Sequence, residues 1–164
     1  MTGQRTTIEL FKEEMKFSAG HFTILSPTER ERLHGHNFTL YVAITGVVDK
    51  SGLMGEYGAY KRVLFEACRS LNEYFLLPGL SPYLTIREEG EHLYALFNGE
   101  EIPFLKRDVQ VLPVRNVTIE ELARMFSERF VNDERLVGDA VEALVVKVAS
   151  GPGQFGSYHW SRER

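Results

Sequence analysis

Apolar and polar residues alternate most regularly in the stretch that follows a pair of histidines near the end of the first quarter of the chain. One face of this stretch carries, in order, His36, Phe38, Leu40, Val42 and Ile44. Because successive side chains of a β-strand point to opposite faces, this period of two predicts a strand with one buried face. Gly46 and the turn sequence DKSG end that strand.

Two other segments have the spacing of amphipathic helices. The first is predicted over residues 57–75, where the sequence LPG stops it, and its apolar face consists of Val63, Leu64, Ala67 and Leu71. The second begins at Thr118, which forms a Thr-x-x-Glu capping box with Glu121 ahead of an apolar stripe.

The remaining strands are shorter or less regular. Residues 7–17 predict a first strand with a bulge near Glu13 and Glu14, and residues 141–148 predict a final one, after which residues 158–160 add a few extended positions. Between the helices, residues 83–86 and 92–97 predict an inserted β-hairpin around the turn REEGE, with NGEE as a second turn leading to IPF. The element order β, β, α, extra β, α, β predicts an α+β fold, with two helices on one face of an antiparallel sheet.

Composition limits the classes of function. The 164 residues fit one domain, residues 1–164, and the net charge of −4 comes from interspersed signs, without the basic stripe that nucleic-acid binding needs. The single cysteine, Cys68, excludes an internal disulfide. Since neither a secretory signal nor a membrane-spanning run is visible, we expect a cytoplasmic protein with no membrane partner.

Three histidines are the candidate ligands of a metal site. His34 and His36 share a face if the strand already begins at His34, and His21 joins the same kind of face on the first strand if that strand stays extended. If the two strands are neighbours, three imidazoles converge, which is the ligand set of an open zinc site with a fourth position for water or substrate. The alternative is that the histidines are hydrogen-bonded surface residues that bind no metal.

Four motifs together resemble one enzyme family. They are FSAGH, ERLHGHNF, GLMGEYGAYK and VTIEELA, and they occur in the order found in the 6-pyruvoyltetrahydropterin synthase and 6-carboxytetrahydropterin synthase family. The resemblance covers most of the chain. Residues 78–115 resemble only the longer members.

The resemblance implies a fold, a cofactor and an assembly. The fold would be the tunnelling fold, in which small subunits pair their sheets into a barrel, commonly as hexamers of two trimers with active sites between subunits. Zn²⁺ would bind His21, His34 and His36. The usual substrate is the small molecule 7,8-dihydroneopterin triphosphate, whose side-chain hydroxyls the zinc holds and polarises.

Two catalytic motifs of the family are altered in this chain. The catalytic cysteine normally lies four residues before the first histidine of HGH, where this sequence has Arg30, which cannot act as a base. Some relatives carry a glutamate instead of the cysteine and then favour carbon–carbon cleavage, and here Glu29 and Glu31 flank Arg30. The family's LDH-x-x-L motif reads LNEYFL, so Asn72 and Glu73 replace the aspartate–histidine pair.

The residues expected to hold the pterin ring also differ. The family has a glutamate at the end of its last long strand, whereas residues 148–150 of this chain contain no carboxylate. Losing such a charged hydrogen-bond acceptor typically costs about 1.5–3 kcal/mol. Glu120 does match an acidic position of the family, although the first turn of a helix also favours an acidic residue for electrostatic reasons.

These observations predict a zinc-dependent lyase or aldolase-type enzyme acting on a pterin-like or polyhydroxylated small molecule. Glu73, Glu31 and Glu120 are the candidate proton carriers, and Thr118 and Arg30 are expected to contact the substrate. The alternative is a non-catalytic zinc-bearing module on the same homo-oligomeric scaffold. That alternative predicts that a fourth protein ligand closes the metal site.

Overall fold

The computed structural model describes residues 3–163 and contains two α-helices and ten strands in that range. The helices are α1 (Tyr57–Arg69) and α2 (Ile119–Val131). The strands are β1 (Arg5–Leu10), β2 (Lys16–His21), β3 (His34–Val47), β4 (Tyr74–Pro78), β5 (Leu84–Glu89), β6 (His92–Phe97), β7 (Glu100–Leu105), β8 (Val109–Leu112), β9 (Val141–Ala149) and β10 (Gly156–Ser161). None of the helices in the described range is long and apolar enough to cross a membrane.

The main sheet has seven strands. β10, β9, β3, β2, β4 and β8 lie side by side in that order, and β1 pairs with β3 beyond the end of β2. The α+β arrangement is therefore as predicted, but the sheet is mixed, because β4 runs parallel to both β2 and β8.

Both helices contribute to the core on one face of this sheet. The face of β3 predicted from the period-two pattern is fully buried at Phe38, Leu40, Val42 and Ile44. From α2, Leu122, Phe126 and Phe130 are also fully buried. Burying a large apolar side chain stabilises a fold by about 1.5–3 kcal/mol, so this layer is a major source of stability.

The predicted first strand over residues 7–17 is two strands in the structure. β1 and β2 both pair with the same edge of β3, and residues 11–15 turn away between them. Met15 is nevertheless buried, and its carbonyl accepts a hydrogen bond from the Leu40 N–H at 2.8 Å. The predicted bulge is therefore in the right place, but it is large enough to divide the strand.

The first helix is shorter than predicted. It ends at Arg69 instead of Phe75, and the following residues form β4, in which Leu76 and Leu77 are fully buried. Glu73 has a left-handed backbone (φ 65°) at the point where the chain enters this strand. Pairing with β2 and β8 thus overrides the apparent helical continuation, as long-range contacts often do.

The predicted hairpin is a three-stranded sheet, β5–β6–β7, which we call the inserted sheet. Its apolar face packs in a second core cluster together with Phe22, Ile24, Leu77 and Val109. The sequence did not predict β8, a short strand after the inserted sheet. This second cluster attaches the inserted sheet to the segment between β2 and β3.

Of the two hydrogen bonds of the predicted capping box, only the one accepted by Thr118 is present at the start of α2. Thr118 Oγ1 accepts the N–H of Glu121 at 3.3 Å, as expected of an N-cap. The Glu121 carboxylate instead accepts hydrogen bonds from the Arg115 N–H and guanidinium, both at 2.7 Å, and from Arg124. The Arg115 hydrogen bond is the main cause that lowers the pKa of Glu121 to about 2.

We predict that Glu121→Gln destabilises the fold by roughly 1.5–3 kcal/mol at pH 7, because it weakens charge-assisted hydrogen bonds to a buried group. Since folding lowers this pKa from 4.5 to about 2, the stabilisation is present above pH 4.5 and is lost as the pH falls towards 2. Urea unfolding of both proteins should therefore show the difference in free energy of unfolding narrowing over that interval.

Glu128→Gln is the matched control, because Glu128 also pairs with Arg124 but its carboxylate is exposed. Such surface pairs contribute about 0–1 kcal/mol. An equal loss of unfolding free energy in Glu121→Gln and Glu128→Gln would contradict the role assigned to Glu121. So would a difference between wild type and Glu121→Gln that is as large at pH 2 as at pH 7.

Candidate metal centre and adjoining pocket

The register between β2 and β3 brings three histidines together. His21 lies directly opposite His34, and Ala19 lies opposite His36. The ring centroids of His21 and His34 are 4.7 Å apart, those of His21 and His36 are 5.0 Å apart, and those of His34 and His36 are 4.8 Å apart. The three imidazoles thus form a nearly equilateral triangle, which we call the histidine triad.

Backbone carbonyls orient two of these rings. His21 Nδ1 lies 2.8 Å from the carbonyl oxygen of Val117, and His34 Nδ1 lies 2.7 Å from that of Arg32. A carbonyl can only accept, so both Nδ1 atoms donate a proton, and in the neutral ring this leaves the Nε2 lone pair for a metal. A hydrogen bond from the ring nitrogen that does not bind the metal is the usual way in which proteins fix the orientation of a metal-binding histidine.

His21 is the most deeply placed member of the triad. It is 5% exposed, and its Nε2 is buried without a hydrogen-bond partner among residues 3–163. Burial is the main cause that lowers the pKa of His21, and it does the same for His36, which favours the neutral form that binds metals. An unpartnered buried lone pair is costly, and a metal ion would satisfy it.

The spacing of the nitrogens also suits a metal. Each of the three histidines offers one ring nitrogen as a ligand, and these three nitrogens lie within 4.8 Å of one another. Nε2 of His34 and Nε2 of His36 are 3.1 Å apart. Two nitrogens bound tetrahedrally at about 2.0–2.1 Å would be about 3.3 Å apart, so this pair has a separation close to the one that such an ion requires.

A cavity of about 400 Å³ adjoins the triad and is large enough for a small molecule. Phe38 packs edge-on against His21 and His36 with centroid separations of 5.6 Å and closes the core side. The remaining lining consists of Thr23, Glu31, Thr118, Ile119, Glu120, Ser150 and Gln154. The cavity therefore combines the triad with two carboxylates and several neutral polar groups.

Glu31 is the carboxylate next to the triad. Its Oε2 lies 3.9 Å from His34 Nε2, and its Oε1 accepts the Thr23 N–H at 3.0 Å. Hydrogen bonding from Thr23 is the largest cause that lowers the pKa of Glu31, and it outweighs the opposing effect of burial. Glu31 is therefore ionised at neutral pH, in the form that can accept a proton.

The N-terminus of α2 forms the opposite wall. Thr118 caps the helix, Glu120 lies in its first turn, and both line the cavity. The carbonyl that orients His21 belongs to Val117, the residue just before this cap. The turn that starts the helix therefore also sets the orientation of a triad ring.

Comparison with known proteins identifies the family. The family model described as 6-pyruvoyl tetrahydropterin synthase matches residues 10–159, which is most of the chain. The chain belongs to the 6-pyruvoyl tetrahydropterin synthase family. This confirms the resemblance that the four sequence motifs indicated.

Individual relatives agree with this membership. A Methanocaldococcus jannaschii protein with the provisional name 6-carboxy-5,6,7,8-tetrahydropterin synthase is 24% identical over 148 residues, 88% of this chain and 89% of its own length. The crystal structure of Plasmodium vivax 6-pyruvoyl tetrahydropterin synthase matches 97% of this chain and 99% of its own, with 23% identity and a TM-score of 0.89. A variant of the P. vivax protein in which a catalytic glutamate is replaced by alanine matches the same shares, with 22% identity and a TM-score of 0.90.

The structural matches show that this 6-pyruvoyl tetrahydropterin synthase family member has the tunnelling fold. They extend across the inserted sheet, because they cover nearly the whole chain. The fold class predicted from the resemblance is thus confirmed.

Glu73 does not line the pocket of its own chain, so its predicted catalytic role stays a prediction. It lines a separate cavity with Gly20 and Gly35, and these alternate with the triad residues, so they face the other side of the sheet. The Glu73 N–H donates to the Ser18 carbonyl at 2.7 Å, which fixes it at the start of β4. The family's aspartate–histidine position is therefore on the sheet face opposite the triad within one chain.

Arg30 also lies outside the pocket lining of its own chain, so its predicted contact with substrate stays a prediction. Its guanidinium packs over the ring of Phe22, 5.2 Å from the centroid, and pairs with Glu100. The sequence could not show this, because Glu100 is 70 residues away in the inserted sheet.

Sequence reasoning missed three polar groups of the pocket: Thr23, Ser150 and Gln154. Thr23 lies two residues after His21 and outside the FSAGH motif. Ser150 and Gln154 belong to the glycine-rich stretch between β9 and β10, where the chain must reverse to form an antiparallel pair. That reversal at the end of the last long strand is the signal that could have identified them.

We predict that each chain binds one divalent metal ion and that replacing any triad histidine by alanine lowers the affinity at least tenfold. The physical reason is that each replacement removes one of three converging lone pairs. Titration of metal-free protein with Co²⁺, followed by visible absorption and calorimetry, measures this. His92→Ala is the matched control, since His92 is exposed at the start of β6. Equal affinities in His21→Ala and His92→Ala would contradict the assignment.

Proposed function

We propose that this protein is a zinc-dependent lyase that cleaves a carbon–oxygen or carbon–carbon bond in the side chain of a pterin-like, polyhydroxylated small molecule. The compound to test is 7,8-dihydroneopterin triphosphate, the usual substrate implied by the resemblance. Membership of the family supports the class of enzyme. The identity of the metal, the substrate and the roles of individual residues are the content of the proposal.

The observation that carries the proposal is the position of Glu31 beside the triad. A carboxylate oxygen 3.9 Å from His34 Nε2 places a proton acceptor next to any hydroxyl or carbon that the metal site holds. The solved variant of the P. vivax relative, in which a catalytic glutamate is replaced, supports the use of glutamate in this fold. Glu31 therefore takes the place of the cysteine that this chain lacks.

Zinc is the metal that the donor set favours, because three neutral imidazoles and an open fourth position are typical of catalytic zinc. When bound, zinc would supply a Lewis acid that polarises substrate oxygens and makes loss of a proton from the neighbouring carbon easier. His21, His34 and His36 would hold the ion, with Val117 and Arg32 fixing two of the rings.

The ring of the substrate would lie towards α2. Glu120 is the carboxylate at that end of the cavity and can accept hydrogen bonds from ring N–H or amino groups. Thr118, Ser150 and Gln154 add neutral donors and acceptors there. We propose that these residues orient the ring in place of the glutamate that residues 148–150 lack.

The proposal includes a cytoplasmic homo-oligomer, a hexamer or other multiple of a trimer, with sites between subunits. Support comes from apolar side chains in segments next to the pocket residues. Leu25, Leu33 and Phe155 are 65%, 43% and 50% exposed in the single chain. Covering such residues is a common reason for subunits to associate. Glu73, on the exposed sheet face, is proposed to act only after that assembly.

The decisive experiment compares wild-type protein with Glu31→Gln, both loaded with zinc, on 7,8-dihydroneopterin triphosphate. We expect the wild type to turn the compound over and the variant to lose at least 100-fold in kcat, because the amide cannot accept the proton. Release of triphosphate reports carbon–oxygen cleavage, whereas a shortened pterin side chain reports carbon–carbon cleavage. Both reactions can be followed by chromatography of the pterin.

Glu29→Gln is the matched control, because Glu29 is exposed two residues away and should leave kcat unchanged. Zinc content should also be equal in all three proteins. If Glu31→Gln loses zinc together with activity, Glu31 is a fourth ligand and the non-catalytic module is favoured. If fully zinc-loaded wild type leaves this compound intact, the proposed substrate is wrong.

A further inference from the structure

The segment that carries Glu31 is a surface hairpin between β2 and β3. We call residues 22–33 the Glu31 hairpin. The Glu31 N–H donates to the Thr23 carbonyl at 2.9 Å, and the Leu25 N–H donates to the Glu29 carbonyl at 2.8 Å. Ile24 and Arg30 form an isolated bridge between the two arms. These few contacts would leave a surface hairpin mobile unless something outside it holds it.

One arm of the hairpin is held from the α2 side. The Asn116 side chain accepts the Ile24 N–H at 3.1 Å and donates to the Ile24 carbonyl at 2.8 Å. The Asn116 side chain thereby makes the two backbone hydrogen bonds that a neighbouring strand would make with Ile24. This arm carries Thr23, whose N–H orients the Glu31 carboxylate.

The other arm is held by Arg30. The Arg30 side chain is only 17% exposed, and its Nη1 donates to the Glu31 carbonyl at 2.9 Å. Its Nη2 lies 3.5 Å from Glu100 Oε2 on β7, and its guanidinium stacks over Phe22. One side chain therefore joins the backbone of Glu31 to the inserted sheet.

The inserted sheet is a firm support for this contact. Phe22 and Ile24 of the hairpin lie in the same buried cluster as Leu93 and Phe97 of the sheet. The Asn98 amide also faces the Thr28 carbonyl at the hairpin tip, at 3.5 Å. The ion pair and the cluster both hold the hairpin against this support.

We propose that Arg30 is a positioning residue that transmits the rigidity of the inserted sheet to Glu31 and so fixes the carboxylate beside the histidine triad. The inference rests on the proposed function, in which Glu31 accepts a proton. Displacement of a reacting group by about 1 Å can cost on the order of 100-fold in rate. The inserted sheet, which contributes no residue to the pocket lining described above, thereby acquires a role in catalysis.

The kinetic test uses Arg30→Gln and Glu100→Gln in the zinc-loaded full-length protein. We expect kcat to fall roughly 10- to 100-fold in Arg30→Gln and less in Glu100→Gln, with KM and zinc content changed less than twofold. Arg30→Lys should recover part of the loss, because it retains the charge facing Glu100. In the Glu31→Gln background, Arg30→Gln should have no further effect on kcat.

Arg87→Gln is the matched control. Arg87 forms an ion pair with Glu101 on the same inserted sheet, and its guanidinium packs over Tyr94 of that sheet. Because these contacts lie within the inserted sheet, the Arg87→Gln variant should leave kcat unchanged. Wild-type kcat in Arg30→Gln, or an equal loss in Arg87→Gln, would overturn the proposal.

Amide hydrogen exchange tests positioning without any turnover. The N–H groups of Thr23 and Glu31 should exchange at least tenfold faster in Arg30→Gln than in wild type and should be unchanged in Arg87→Gln. If wild type lacks turnover but this pattern appears, the proposed reaction fails while the positioning role of Arg30 stands. If the two N–H groups exchange at the wild-type rate in Arg30→Gln, the positioning role fails whatever the activity.

Discussion

The register of β2 against β3 is the constraint on which the rest of the site depends. A shift of one residue would turn the side chains of β2 to the other face and remove His21 from the pair on β3. Phe17 and Phe38, which pair directly across the two strands, are stacked with centroids 5.1 Å apart in the core. Because a one-residue shift would take Phe17 out of the core, the packing of this aromatic pair favours the register that forms the triad.

Three surrounding elements then convert the triad into a pocket with distinct groups. The turn before α2 orients His21 through the Val117 carbonyl and supplies the wall opposite Glu31. The Glu31 hairpin supplies the nearest carboxylate, and the reversal between β9 and β10 supplies neutral polar groups. These loops lie outside the pairing of β2 with β3, so substitutions in them leave the register of the triad intact.

The sequence predicted those features that depend on short-range periodicity. The buried face of β3 and the start of α2 at Thr118 follow from alternation and capping. Alternation also placed His34 and His36 on one face, but their convergence with His21 was predicted only on the condition that β2 and β3 pair, which they do. It did not predict β4 or β8, because short apolar runs look alike in helices and strands, and only pairing with distant partners decides between them. The direction of Arg30 was equally hidden, since its acidic partner Glu100 lies far along the chain.

X-ray absorption at the zinc edge of the metal-loaded protein tests the central claim most directly. The structure predicts three imidazole nitrogens at about 2.0–2.1 Å and one further light-atom ligand that exchanges when a small inhibitor is added. A spectrum with fewer than three imidazoles, or with a carboxylate permanently in the fourth position, would contradict the account.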